Sequence, residues 1–239
     1  MRDNRIIWSA DVPDTPTLLA HLRSMPNLGW IKIDRLFATL HGLSVIDQLK
    51  EYGILVFDDA KIIEIPSKLV AVAKAHLVHR PDMLNCIAGG LSNGVFNHLD
   101  SDQQDGLKRF ADACHQVGTK PCGVTILTSK TPAVVTEEFN GRSHIEQVLY
   151  YVDILRVCGF TNIVCSPAEL QAIRSESQFD HLELNVPGIR PVSSVHDDQA
   201  RVNTPRNALN AGATRLVIGR PITEGDPAKN LSIILKSIS

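Results

Sequence analysis

The sequence predicts an α/β chain folded as a (β/α)8 TIM barrel, one domain spanning residues 1–239. Three observations carry the prediction. Eight short apolar runs recur along the chain, as expected of strands buried on both faces of a parallel sheet. Segments of helical period alternate with them. The length also suits a barrel, which typically takes about 250 residues. A doubly wound open sheet shares the alternation and is the competing architecture. No G-x-G-x-x-G follows the first run, which counts against its dinucleotide-binding form, and no Pro/Gly/Ser-rich linker divides the chain.

The strands are expected at Arg5–Ala10, Gly29–Ile33, Ile54–Phe57, Met83–Ile87, Gly123–Leu127, Asn162–Cys165, Leu182–Val186 and Arg215–Ile218. Between the third and fourth, Ser67–His79 sets Leu69, Val70, Ala73 and Leu77 on one helical stripe. Thr131–Asn140, after the fifth, reads as loop. Ser143 followed by Glu146 has capping-box spacing and opens the apolar positions Ile145, Val148, Leu149 and Val152. Ser166-Pro167, Thr204-Pro205 and Asp226-Pro227 each put a capping residue before a proline at the first helical position. Gly53, Gly118, Gly159 and Gly212 fall where a helix should stop before the next strand.

With 44% hydrophobic but only 5% aromatic residues, the core must be built from aliphatic side chains. The charge balance, 24 Lys+Arg against 26 Asp+Glu, lacks the basic excess of a general nucleic-acid binder. Any bound anion must therefore be held by a few placed groups. No apolar stretch of about 20 residues is present, so no membrane span is expected. The charges at Arg2, Asp3 and Arg5 leave too short an apolar run for a signal peptide. Five cysteines without a C-x-x-C pair read as free thiols of a cytoplasmic protein, small core residues rather than nucleophiles. His76, His79, His98 and His115 lack zinc-ligand spacing and read as exposed helix or loop residues; no metal is expected.

In a barrel the chemistry belongs at the C-terminal ends of the strands. The expected strands end near Asp11, in Asp58-Asp59-Ala60-Lys61-Ile62-Ile63-Glu64, near Asn85, at Thr128-Ser129, in Pro187-Gly188-Ile189-Arg190-Pro191 and in Gly219-Arg220-Pro221, while the second carries Lys32. Extended alternation would put Asp59 and Lys61 on one face. A carboxylate beside an ammonium keeps the ammonium charged. It also repels a substrate carboxylate until that charge departs. The pattern suits decarboxylation with proton delivery from the lysine, and by itself suits a solvated ion pair equally. Arg190, Gly219 and Arg220 sit where barrels commonly hold a phosphate; two ordinary turns with exposed arginines are the alternative.

The ordered set Lys32, Asp59-Ala60-Lys61-Ile62-Ile63-Glu64-Ile65-Pro66, Val124–Ser129, Pro187–Pro191, Asp198-Gln199 and Ile218–Pro221 resembles the orotidine 5′-phosphate decarboxylase family, from about Asp11 to the C-terminus. Its most specific stretch is PGIRP followed by DQARVNTPRNALNAGATRLVIGRP. The resemblance implies a (β/α)8 homodimer with shared active sites, no cofactor, and a phosphorylated pyrimidine nucleotide decarboxylated to UMP. It implies Lys61 as the proton donor, Asp59 crowding the departing carboxylate, and Lys32 holding Asp59 and the ribose. Asp11 would also bind the ribose, Thr128 would lie by the pyrimidine, and Arg190, Gln199, Gly219 and Arg220 would grip the phosphate. Glu64 would enter the neighbouring subunit's site.

The family pattern D-x-K-x-x-D-I-x-x-T has Glu64 at its third acid and Lys68 at its threonine here, and Ile87 stands where its Asn-Val-His-Ala motif has histidine. Two other readings stay open: a related barrel acting on another phosphorylated substrate, and a non-catalytic nucleotide-binding homologue.

Overall fold

The computed structural model of the chain describes residues 2–89, 100–127, 130–139, 141–191 and 204–239. Eight parallel strands close on themselves in sequence order, so the open doubly wound sheet is excluded. They are β1 (Asp3–Ser9), β2 (Leu28–Asp34), β3 (Leu55–Ile62), β4 (Met83–Ile87), β5 (Lys120–Val124), β6 (Asn162–Val164), β7 (Glu183–Val186) and β8 (Arg215–Ile218). The helices are α1 (Thr15–Ser24), α2 (Arg35–His41), α3 (Val45–Glu51), α4 (Pro66–Leu77), α5 (Ser101–Gln116), α6 (Pro132–Glu138), α7 (His144–Val157), α8 (Leu170–Arg174), α9 (Pro205–Asn210), α10 (Arg220–Thr223) and α11 (Pro227–Ser237).

Local chemistry accounts for most of these boundaries. At α7, Ser143 Oγ accepts from the Glu146 N–H while Glu146 Oε2 accepts from the Ser143 N–H, the reciprocal cap that the spacing predicts. Thr204 and Asp226 likewise cap α9 and α11, whereas Ser166 caps only a 3-10 turn, Pro167–Glu169, before α8. Gly53, Gly118, Gly159 and Gly212 all take positive φ at helix ends, the region that L side chains resist. On α4 the predicted stripe is the inward face, with Leu69, Ala73 and Leu77 buried.

Three expectations require correction. Thr131–Asn140 is not a plain loop: Thr131 Oγ1 accepts from the Val134 N–H and starts α6, a helix too short and too acidic to announce itself by periodicity. The fifth strand runs over Lys120–Val124 rather than Gly123–Leu127. Its first residues are poor strand formers, and tertiary pairing with β4 places them, Pro121 opposite Leu84 and Cys122 opposite Asn85. His76 and His79 are only partly exposed and face carboxylates, Asp58 and Asp47, at 2.7 Å each. His115 is exposed as expected, and His98 lies outside the described residues. All five cysteines are buried free thiols.

Two apolar layers result. The larger fills the space between the barrel and its helices, and the smaller, Ile7, Trp30, Phe57, Met83, Cys122 and Val217, occupies the barrel's interior. Below it the first residues of β5, β6, β7 and β8, namely Lys120, Asn162, Glu183 and Arg215, form a polar floor. The helix layer presses hard on the sheet at Gly123, where a Cβ would lie 2.3 Å from Leu155 Cδ1. Gly123→Ala should therefore cost about 1–3 kcal/mol through overpacking. Thermal unfolding should show a Tm several degrees below wild type; an unchanged Tm would mean that α7 moves aside freely.

Candidate active site

The interior layer and polar floor close the barrel below, which leaves the C-terminal mouth as the open end. There, β3 delivers Asp59. Asp59 is 5% exposed, and its Oδ2 accepts from Lys32 Nζ at 2.7 Å and from Lys61 Nζ at 2.6 Å. Its Oδ1 accepts from Asn85 Nδ2 at 2.6 Å. Burial by itself would raise the pKa of this carboxyl, but the two adjacent ammonium groups outweigh it and hold Asp59 below the usual carboxylate range. The two lysines differ in access: the side chain of Lys32 is 10% exposed and that of Lys61 43%. Lys32 is thus enclosed around the carboxylate, and Lys61 is the cation that a ligand can reach.

Asp58, one residue earlier, points the other way. It is fully buried against α4, where its Oδ2 faces His76 Nδ1 at 2.7 Å. Strand alternation therefore sends one of two adjacent carboxylates into the helix layer and one into the mouth. Asp59 and Lys61 do meet, though regular alternation does not bring them together. Lys61 has φ +44°, a left-handed backbone, and the β3–β4 register shifts between Asp58 and Ile62.

A cavity of about 310 Å³ opens above this cluster. Its lining includes Ser9, Asp11, Lys32, Asp59 and Lys61 together with Pro187, Gly188, Arg190, Gly219 and Arg220. Phe57, Val124, Ile126, Leu127, Val164 and Val217 add an apolar surface to the lining. A Cβ at Gly219 would come within 3.0 Å of Asp11 Oδ2, so a side chain there would crowd the mouth. Arg190 and Arg220 are exposed to solvent, and Arg190 Nη1 donates to the Ile189 carbonyl at 3.1 Å. The cavity combines a buried anion bridged by two cations, two arginines and an apolar surface. That lining fits a ligand with a flat ring, a charged reacting group and an anionic group.

Of the residues singled out from sequence, Asp11, Lys32, Asp59, Lys61, Arg190, Gly219 and Arg220 all border this cavity. Glu64 does not. It is partly buried beside Ile87, Gln103 and Leu107, around a void of about 10 Å³ that holds one water at most. Thr128 and Gln199 lie outside the described residues. Sequence reasoning gave no role to Ser9 or to the fully buried Asn85. Asn85 was visible as a polar residue ending an apolar run, but nothing in the sequence paired it with Asp59. Among the described residues, no group of three or more His, Cys, Asp or Glu side chains is arranged to hold a metal ion.

The orotidine 5′-phosphate decarboxylase / HUMPS family matches residues 4–232 of the chain. Orotidine 5′-phosphate decarboxylase of Ehrlichia chaffeensis is 34% identical over 241 residues, covering 100% of this chain and 99% of its own. The Pseudomonas fluorescens protein of the same name is 34% identical over 243 residues, covering 98% of this chain and 97% of its own. In structure, the chain is similar to orotidine 5′-phosphate decarboxylase of Lactobacillus acidophilus, with a TM-score of 0.79 and 26% identity over 99% of this chain and 100% of that one.

Proposed function

We propose, because this chain belongs to the orotidine 5′-phosphate decarboxylase / HUMPS family, that it decarboxylates orotidine 5′-phosphate to UMP, a step of pyrimidine biosynthesis. The observation that carries the reading is the buried Asp59 carboxylate bridged by Lys32 and Lys61 in a cavity that Arg190 and Arg220 also line. The ring carbon's bond to the carboxylate breaks, CO2 leaves, and the electron pair stays on carbon. Lys61 Nζ then gives that carbon its proton, and solvent returns one to the lysine. Asp59, kept ionised by its two lysines, crowds the substrate carboxylate in the ground state, and the repulsion ends as CO2 departs. Lys32 and Asp11 bind the ribose hydroxyls.

Arg190, Arg220 and the backbone at Gly219 grip the phosphate, together with Gln199, while Thr128 lies by the pyrimidine. Glu64, turned away from its own chain's cavity, serves the site of a second copy in a homodimer. Buried unpaired thiols and the absence, among the described residues, of a helix long and apolar enough to cross a membrane are compatible with a cytoplasmic setting, which belongs to the same proposal.

The test is loss of the orotate absorbance by purified protein, with and without a chelator. Chelator-resistant turnover is expected. Turnover that requires added metal would favour another phosphorylated substrate and a different chemistry, and tight UMP binding without turnover would favour a non-catalytic homologue. The phosphate end has its own check. Binding energy from a remote group supports the chemical step as well as affinity, so Arg190→Ala/Arg220→Ala should lower kcat/KM by about 100-fold or more, with kcat reduced as well as KM raised. A purely additive loss in KM would show that phosphate binding and chemistry are uncoupled.

A further inference from the structure

We infer that Asn85 is a positioning residue, which seats Lys61 in its left-handed backbone conformation and turns the Asp59 carboxylate so that one oxygen serves both lysines. Along β3 and β4, Phe57 pairs with Met83 and Asp58 with Leu84, and the next pair is Ile62 with Cys86. Asp59, Ala60 and Lys61 therefore stand opposite Asn85 alone. Such a bulge leaves ladder groups without backbone partners. The Asn85 side chain, fully buried, makes up the loss from both sides of its amide. Its Oδ1 accepts from the Lys61 N–H at 2.7 Å, and its Nδ2 donates to Asp59 Oδ1 at 2.6 Å.

Two consequences follow from that geometry. A lysine at φ +44° is strained and persists only where its surroundings hold it, and the bond from its N–H to Asn85 is such a hold. With Oδ1 occupied by Asn85, Oδ2 is the oxygen left to face Lys32 and Lys61, so the ammonium of Lys61 is set relative to the carboxylate by the residue across the bulge. Asn85 is absent from the lining of the mouth and acts through Asp59 and Lys61.

The kinetic consequences rest on the decarboxylase reading above; the conformational ones do not. In Asn85→Ala, kcat for orotidine 5′-phosphate should fall about 100-fold, as a misplacement of about 1 Å can produce, with KM changed less than about threefold. Losing a donor to its charged form raises the Asp59 pKa, so the acid limb of kcat should move to higher pH. Asn85→Asp preserves the volume but places a second carboxylate against Asp59. Its kcat should be low at neutral pH and partly recover on acidification, once one proton is shared by the pair.

Crystals of Asn85→Ala should show Lys61 returned to negative φ and its Nζ more than 4 Å from Asp59, roughly beyond hydrogen-bonding reach. A folded Asn85→Ala protein with kcat within about threefold of wild type, an unmoved acid limb and Lys61 still at positive φ would overturn the inference. Should the wild-type protein itself leave the orotate absorbance unchanged, the decarboxylase reading fails, and the Lys61 backbone in the variant crystals still decides the role of Asn85.

Discussion

Replacing Lys61 with alanine should lower kcat for orotidine 5′-phosphate by about 1,000-fold or more while UMP still binds within about tenfold of wild type. Lys61 is the exposed member of the two ammonium groups on Asp59, and so the one able to reach a ring carbon. A positioned general acid contributes about 100- to 10,000-fold by itself. The substitution also strips one cation from a buried carboxylate, whose remaining partners are Lys32 and Asn85. The Asp59 pKa then rises toward the ordinary range, so the residual activity should also vanish at a higher pH than in wild type. Binding of UMP is largely spared because Arg190, Gly219 and Arg220, which also line the cavity, are left intact. Single-turnover absorbance traces and calorimetric titration with UMP measure the two quantities. A kcat within tenfold of wild type would remove Lys61 as the proton donor.

The second large effect is on stability. Arg215, 7% exposed at the start of β8, donates to Glu183 Oε1 and Oε2 at 2.9 and 3.1 Å, and to Asn162 and Asn185. Its guanidinium also lies 5.0 Å from the centroid of the Trp30 ring. Removing one partner of a buried pair costs about 3–5 kcal/mol, because the other charge is left uncompensated. Glu183 remains paired with Lys120 and its side chain is 29% exposed, so Arg215→Ala belongs near the lower end. For a chain of this size, that loss lowers Tm by roughly 8 °C.

The pH dependence follows with a definite sign. Burial raises the Glu183 pKa, but Arg215 and Lys120 together hold it down to about 2, below its ordinary 4.5. Its contribution is therefore complete above pH 4.5 and is lost as pH falls toward 2. In Arg215→Ala the folded-state pKa moves back toward the ordinary value, and the decline of Tm over this interval becomes shallower. Calorimetric scans at neutral and acid pH check both features. A variant within 2 °C of wild type, about half a kcal/mol here, would show the floor to be dispensable.

Particular residues show where sequence reading reaches and where it stops. The Ser143–Glu146 cap was legible because both hydrogen bonds form within one helical turn. Lys120–Val124 was not, since its strand character comes from β4 and β6 on either side and not from its own residues. Asp59 and Lys61 were legible as a pair because they are two positions apart. Their link to Asn85 spans 24–26 residues and depends on a register shift that no local pattern encodes.

Periodicity, caps and the ordered motifs, all short-range properties of the chain, were sufficient to determine an eightfold alternation of strands and helices and the residues able to carry charge at the strand ends. Closure of the barrel was decided in three dimensions, since alternation alone suits an open sheet as well. So was the division of labour among neighbours. Asp58 and Asp59 are chemically identical in sequence, yet one is buried against His76 and the other faces the mouth between two lysines. Which lysine is enclosed and which is reachable was settled the same way. Electrostatics depends on distance and burial, and both are set by strands that meet only after the chain has folded.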